Sequence, residues 1–162
     1  MTIIPYVIYL IIIALHAVIL QGITSIYTAS LNLPAFIVLA VGLYKEDIPA
    51  TWFGFAAGLV AFAGAPPTQL GWHGLIMAGL ALGARRVRER LNLESLKARL
   101  LVVFGGLVIH NVIVLLISQA DAFLINLLRY ALAGAVYTSL IAWLFFLVKE
   151  RVITVEKVKA IF

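Results

Sequence analysis

The chain has 162 residues, of which 64% are hydrophobic and 12% charged, and its mean hydropathy is +1.12. An ordinary soluble domain is about 45–50% apolar and about 25% charged, so the composition argues against a soluble fold and predicts an integral membrane protein. Because the sequence contains no cysteine, disulfides, thiolate catalysis and cysteine-ligated metal centres are excluded. The net charge of +5 is expected to set membrane topology, and nucleic-acid binding is not expected.

Six hydrophobic runs follow one another along the chain, separated by charged or Pro/Gly-containing segments. They cover residues 3–23, 31–44, 50–64, 70–84, 100–118 and 122–148. Each run is apolar all round, which is typical of a helix buried in lipid and among other helices. At roughly 20 residues per span, six spans use most of the chain. The sequence therefore predicts one all-α domain, 1–162, with about six transmembrane helices. The first run lacks the features of a cleaved signal peptide and is expected to be retained.

Basic residues predict the orientation of these spans. When the spans alternate across the membrane, all twelve Lys and Arg residues except Arg129 fall on one side. Because positive charge marks the cytoplasmic side, both termini are expected in the cytoplasm.

The segment 85–99, between the fourth and fifth runs, mixes arginines with leucines. Its first four arginines, called the basic elbow below, are Arg85, Arg86, Arg88 and Arg90. The simpler interpretation is a solvated connection that fixes topology. The alternative is an interfacial segment that contacts anionic lipid or a cytoplasmic partner, and the tail 149–162 leaves the same two interpretations open.

The second, third and fourth runs are short for a membrane. At about 1.5 Å per residue they reach about 20–23 Å of a hydrocarbon core of about 30 Å. Either the helices extend into the segments 24–32 and 65–69, or these segments enter the membrane as shielded non-helical backbone. Asn32 followed by Pro34 predicts a helix start on the outer side, and partial re-entry of 24–32 is favoured.

Small residues recur at a spacing of three or four on the third and fourth spans, where they would let helix backbones approach closely. They are Gly54, Gly58, Ala61, Gly79 and Gly83. Packing of these two spans against each other is the simpler interpretation, and docking of a partner helix is the alternative.

Polar side chains inside the predicted spans carry more information, because each is costly in lipid. In a hairpin centred near residues 120–121, Asn111 lies level with Tyr130, and His110, Asn126 and Arg129 lie close by. The hairpin predicts a buried cluster of Arg129, Asn111, His110 and Asn126 in which the Arg129 guanidinium points to Asn111. The cluster would be a structural clamp or part of a solute path.

No catalytic constellation is found in the sequence. Asp121 is the single acidic residue of the outer half, so paired-carboxylate chemistry lacks a second partner. The histidines His16, His73 and His110 lie on three spans without metal-ligand spacing. No enzyme activity, cofactor or metal is therefore expected.

Three short motifs resemble the rod shape-determining protein MreD family of bacterial inner-membrane proteins. They are N-L-P at 32–34, G-F-A-A-G-L at 54–59 and L-G-W-H-G-L at 70–75, followed by the basic elbow. Family members commonly carry an aspartate a few residues after the G-L pair, where this chain has Ala61, Phe62 and Ala63, so no carboxylate role is carried over there.

The resemblance implies a non-enzymatic scaffold of the cell-elongation machinery, which synthesises peptidoglycan in rod-shaped bacteria. It implies binding to a single-span partner of the MreC type, and an indirect association with MreB and the RodA–transpeptidase wall synthase. Self-association is left open. The family is also similar in fold to the S components of energy-coupling-factor vitamin transporters, and a solute-binding transporter subunit is therefore the alternative. Such a subunit needs an outward cavity of about 300–1,000 Å³.

Overall fold

The computed structural model describes residues 3–20, 23–24, 29–91, 93, 95–118 and 123–149. These residues form six helices, one for each hydrophobic run. They are α1 (Ile4–Leu20), α2 (Leu33–Tyr44), α3 (Asp47–Ala61), α4 (Pro67–Arg90), α5 (Leu96–Ser118) and α6 (Phe123–Lys149). The all-helical fold predicted from the sequence is confirmed. By length and composition α5 and α6 could each cross a membrane, whereas α1 and α2 are apolar but shorter.

Helix α2 lies at the centre of the bundle and contacts all five other helices. Most of its side chains are buried, including Val38 and Leu39. The predicted helix start at Asn32 is confirmed, since the Asn32 side chain accepts a hydrogen bond from the Ala35 amide at 3.2 Å. Pro34 occupies the first turn, where its missing N–H costs nothing.

Close packing between α3 and α4 depends on two glycines. A Cβ atom on Gly54 would lie 2.6 Å from the Met77 carbonyl oxygen, and one on Gly58 would lie 2.5 Å from the His73 carbonyl oxygen. The backbones of the two helices therefore touch. By contrast, a Cβ atom on Gly79 or Gly83 would have no atom within 4 Å. The predicted set of small residues thus divides into a packed pair on α3 and an open pair on α4.

The basic elbow differs from the predicted connection between helices. α4 continues six residues beyond the end of its apolar run, to Arg90, so the four arginines lie in its last turns. Arginine and glutamate are good helix formers, and Arg85 forms an ion pair with Glu89 at 3.2 Å, one helical turn away. Arg85 also forms an ion pair with Asp47, at the start of α3, in which Nε lies 3.1 Å from Oδ1.

The remaining charged contacts tie several helix ends together at this same end of the bundle, called the basic end below. Arg88 donates to the Leu43 carbonyl at 2.6 Å, which caps the last turn of α2. Arg99 donates to the Tyr44 hydroxyl at 3.3 Å, and the Lys149 ammonium lies 2.9 Å from the centre of the Tyr44 ring. These arginines therefore have structural contacts inside the protein.

Three sequence-based expectations concern segments beyond the described residues. The re-entrant interpretation of 24–32 depends on residues 25–28, and the interpretation of the tail depends on 150–162. Asp121 also lies outside the described part of the chain.

Candidate binding cavity

A cavity of about 720 Å³ opens at the end of the bundle opposite the basic end. It is lined by the segments that precede α2 and follow α3, and by the ends of α1, α5 and α6. The cause is a difference in helix length. With 12 and 15 residues, α2 and α3 extend only about 18–23 Å at about 1.5 Å per residue, whereas α5 and α6, whose ends line the cavity, have 23 and 27 residues. The short central helices thus leave a space that their longer neighbours surround.

A hydrogen-bonded network of polar side chains lies on the cavity wall. The Asn32 amide nitrogen donates to Asn111 Oδ1 at 2.8 Å and lies 3.1 Å from His110 Nδ1. Asn111 in turn donates to the Ala131 carbonyl at 2.9 Å. The Asn32 backbone N–H donates to the Thr138 hydroxyl at 2.9 Å. This network joins α2, α5 and α6.

His110 has two possible roles in this network. If the Asn32 amide donates to Nδ1, the proton of His110 lies on Nε2; if Nδ1 instead donates to Asn111 Oδ1 at 3.2 Å, Nε2 is an acceptor. In both tautomers His110 Nε2 has no hydrogen-bond partner among the described residues. An unpaired buried polar atom costs about 1–3 kcal/mol, so the fold carries an unsatisfied group here.

The other two histidines are buried in the same way. His16, on the cavity wall, is 3% exposed and its Nε2 atom has no partner in the described structure. His73 lies behind the wall, stacked on Phe62 with ring centres 3.7 Å apart, and its Nδ1 atom is likewise unpaired among the described residues. The sequence places the three histidines on separate spans, and the fold brings two of them to one cavity and the third to its back wall.

Both π-helical segments of the described chain adjoin the cavity. One, His16–Leu20, ends α1, and the other, Leu127–Leu132, interrupts α6. Each contributes lining residues, among them Val18 and Tyr130. A π-helical turn is rare and occurs frequently at functional sites. Here the irregular backbone and the polar network adjoin the same cavity.

The cavity lining contains no charged side chain among the described residues. Its polar groups are neutral amides, hydroxyls and imidazoles, and the rest of the wall is aliphatic or aromatic. No group of three His, Cys, Asp or Glu residues in the described ranges could hold a metal ion. The arrangement provides binding groups for an uncharged partner.

Three of the four residues predicted to form the buried cluster line the cavity, namely His110, Asn111 and Asn126. Arg129 does not join them, and the predicted contact between Arg129 and Asn111 is corrected. The side chain of Arg129 is exposed, and Asn111 is bonded to Asn32 and to the Ala131 carbonyl. Asn111 therefore bonds a backbone carbonyl of the π-helical turn, that of Ala131, and not the Arg129 guanidinium.

Sequence reasoning missed two members of the network. Asn32 was recognised as a helix cap, and nothing in the sequence indicated that its amide also reaches α5. Thr138 lies 106 residues from Asn32, on an apolar stretch where a threonine is unremarkable because its hydroxyl can bond the carbonyl four residues back, as it does to Gly134 at 2.7 Å.

No family model, curated protein or solved structure matches the chain.

Proposed function

We propose that the chain is a multi-span protein of the bacterial inner membrane, with six membrane-inserted helices and the basic end in the cytoplasm. Large apolar side chains cover its outer surface: on α1 alone Ile4, Ile8 and Ile11 are at least half exposed. Monomeric soluble proteins rarely expose apolar patches of this extent. In a bilayer these side chains contact lipid, and the arginines of the basic end satisfy the positive-inside rule.

Within that membrane setting, the function proposed is a non-enzymatic scaffold of the MreD type, which binds a single-span partner of the MreC type on its outward side. The observation that carries the proposal is the open cavity. Its rim includes the connection from α3 to α4, with Ala63 and Gly64 exposed, so the outward turns form a concave surface on which a partner can dock. This surface holds binding groups and no paired acid and base among the described residues.

Partner capture by the purified full-length protein tests the scaffold. A tagged single-span, coiled-coil protein of the MreC type should co-purify with the wild type, and Gly64→Trp should reduce capture because the ring would cover the cavity rim. A Cβ atom on Gly64 meets nothing within 4 Å, so the variant should fold.

Gly79→Trp is the matched control, since Gly79 is also open but lies on the outer face of α4. If Gly79→Trp abolishes capture and Gly64→Trp does not, the partner docks on α4 and the rim proposal is wrong. If neither variant nor the wild type captures the partner, the scaffold proposal itself fails.

A solute-binding transporter subunit of the S-component type is the second candidate. The cavity favours it, because about 720 Å³ lies within the range of about 300–1,000 Å³ found for small-molecule sites. Neighbouring genes discriminate between the two. A gene for a single-span periplasmic coiled-coil protein would support the scaffold, whereas a gene for a paired ATPase would support the transporter subunit.

A further inference from the structure

We propose that the outward cavity binds an uncharged small molecule that carries an amide or lactam group. The inference depends on the cavity alone and goes beyond the proposed scaffold function, because it holds whether or not a protein partner docks at the rim. Three independent observations converge on it: the volume, the neutral polar lining and the unpaired ring nitrogens of His16 and His110.

The lining selects an uncharged ligand. A charged group that leaves water for this cavity would lose its hydration without meeting an opposite charge among the described lining residues, and that desolvation is costly. The α2 N-terminus, which would otherwise favour an anion, is occupied by its own cap: Asn32 accepts from the Ala35 amide. Among the described residues, therefore, nothing favours an anion or a cation.

Hydrogen-bonding chemistry selects an amide. The walls offer side-chain amides and imidazoles, which both donate and accept. His110 Nε2 is a donor in one tautomer and an acceptor in the other, and a ligand amide supplies the complementary group in either case. The unpaired Nε2 atoms of His110 and His16 are shielded from solvent, so a ligand amide gains their hydrogen bonds through a small rotation of either ring toward the cavity, which both residues line.

Three closely related pyridine probes test the selectivity for charge. Nicotinamide is neutral, nicotinate replaces its amide by an anionic carboxylate, and 1-methylnicotinamide keeps the amide and adds a positive charge. Saturation-transfer NMR at millimolar probe concentration, on the full-length protein in nanodiscs, should detect saturable binding of nicotinamide. The two ions should show at least tenfold weaker binding.

A cavity-filling variant locates the binding. Ala61, at the end of α3, lines the cavity, and Ala61→Phe should occupy the space without removing a network hydrogen bond. Leu75→Phe on the exposed face of α4 is the control. Binding of nicotinamide should disappear in Ala61→Phe and persist in Leu75→Phe, with both variants showing the wild-type elution volume and helical spectrum.

If Ala61→Phe misfolds, protection of a cysteine gives the second measurement. The chain has no cysteine, so Ser30→Cys at the cavity is a unique thiol, and nicotinamide should slow its alkylation by N-ethylmaleimide severalfold. The proposal is wrong if nicotinamide does not bind the wild type, if either ion binds as well, or if Ala61→Phe folds and still binds. If the wild type captures the partner but does not bind nicotinamide, this inference is rejected and the scaffold proposal stands.

Discussion

Gly58 shows how a single missing side chain sets the distance between two helices. Gly58→Leu would place Cβ 2.5 Å from the His73 carbonyl oxygen and 2.7 Å from the Cα atom of Gly74, and backbone atoms cannot move aside as a flexible side chain can. We expect α3 and α4 to separate, with a loss of about 1–3 kcal/mol from overpacking. Thermal unfolding in detergent should show the lower midpoint.

Gly83→Leu is the matched control for that substitution, because nothing lies within 4 Å of a Cβ atom there. It should leave the midpoint within experimental error. An equal loss in both variants would show that the close approach at Gly58 is not what holds α3 against α4.

Arg129 is predicted to contribute little to stability. Its side chain is exposed, and surface substitutions usually change stability by no more than about 0.5 kcal/mol. Arg129→Met should therefore unfold at nearly the wild-type temperature. Asn111→Leu should be less stable by about 1–3 kcal/mol, because it leaves the Ala131 carbonyl and the Asn32 amide without their partner. If Arg129→Met loses more stability than Asn111→Leu, Arg129 is the structural clamp that the sequence predicts.

The different outcomes for these two residues explain what a sequence can predict at this scale. The hairpin geometry placed Asn111 level with Tyr130, and the structure pairs it with the neighbouring residue, Ala131. Depth along a helix follows from the rise per residue. The direction of the Arg129 side chain does not follow from it, because the π-helical turn Leu127–Leu132 changes the angle between successive side chains. No residue type in the sequence predicts that turn.

At the scale of an element, α2 is short and is held at both ends by side chains. Asn32→Ala should lower stability by about 2–4 kcal/mol, the sum of a lost helix cap and the lost hydrogen bonds to Asn111 and His110. Ser95→Ala, directly before α5, is the control: the Ser95 hydroxyl accepts from the Ala98 amide at 3.1 Å, a contact within the first turn of α5, so a loss of about 1 kcal/mol is expected. Equal losses, measured by thermal unfolding, would mean that Asn32 acts as a cap alone.

Hydrophobicity predicts the boundary of a helix correctly where the helix ends together with its apolar run. The prediction is wrong where the helix continues into a charged segment. The predicted fourth span ended at residue 84, whereas α4 continues to Arg90. Hydrophobicity reports where a helix leaves an apolar environment, not where its hydrogen bonding stops. The ion pairs of Arg85 with Glu89 and Asp47 stabilise the extra turns, and the second of these depends on a residue 38 positions away.

For the whole molecule, the proposed orientation makes a direct topology prediction. Reporters fused after Lys45, after Arg90 and at Phe162 should be cytoplasmic, because the described basic residues near these positions lie at one end of the bundle. Reporters within 66–69 or at Ala120 should be periplasmic. Alkaline phosphatase and green fluorescent protein fusions measure this, and a cytoplasmic result at Pro67 would remove the six-span arrangement.

The length of α2 has a consequence for how the protein is made. With 12 residues and a length of about 18 Å, α2 is too short to cross the hydrocarbon core as an independent segment. Its ends are held by Thr138 of α6 and Arg88 of α4, which the ribosome synthesises much later. In the proposed membrane arrangement, stable insertion of α2 must therefore wait until the rest of the chain has emerged. A nascent chain that ends after α3 should leave α2 extractable from the membrane, and the complete chain should not.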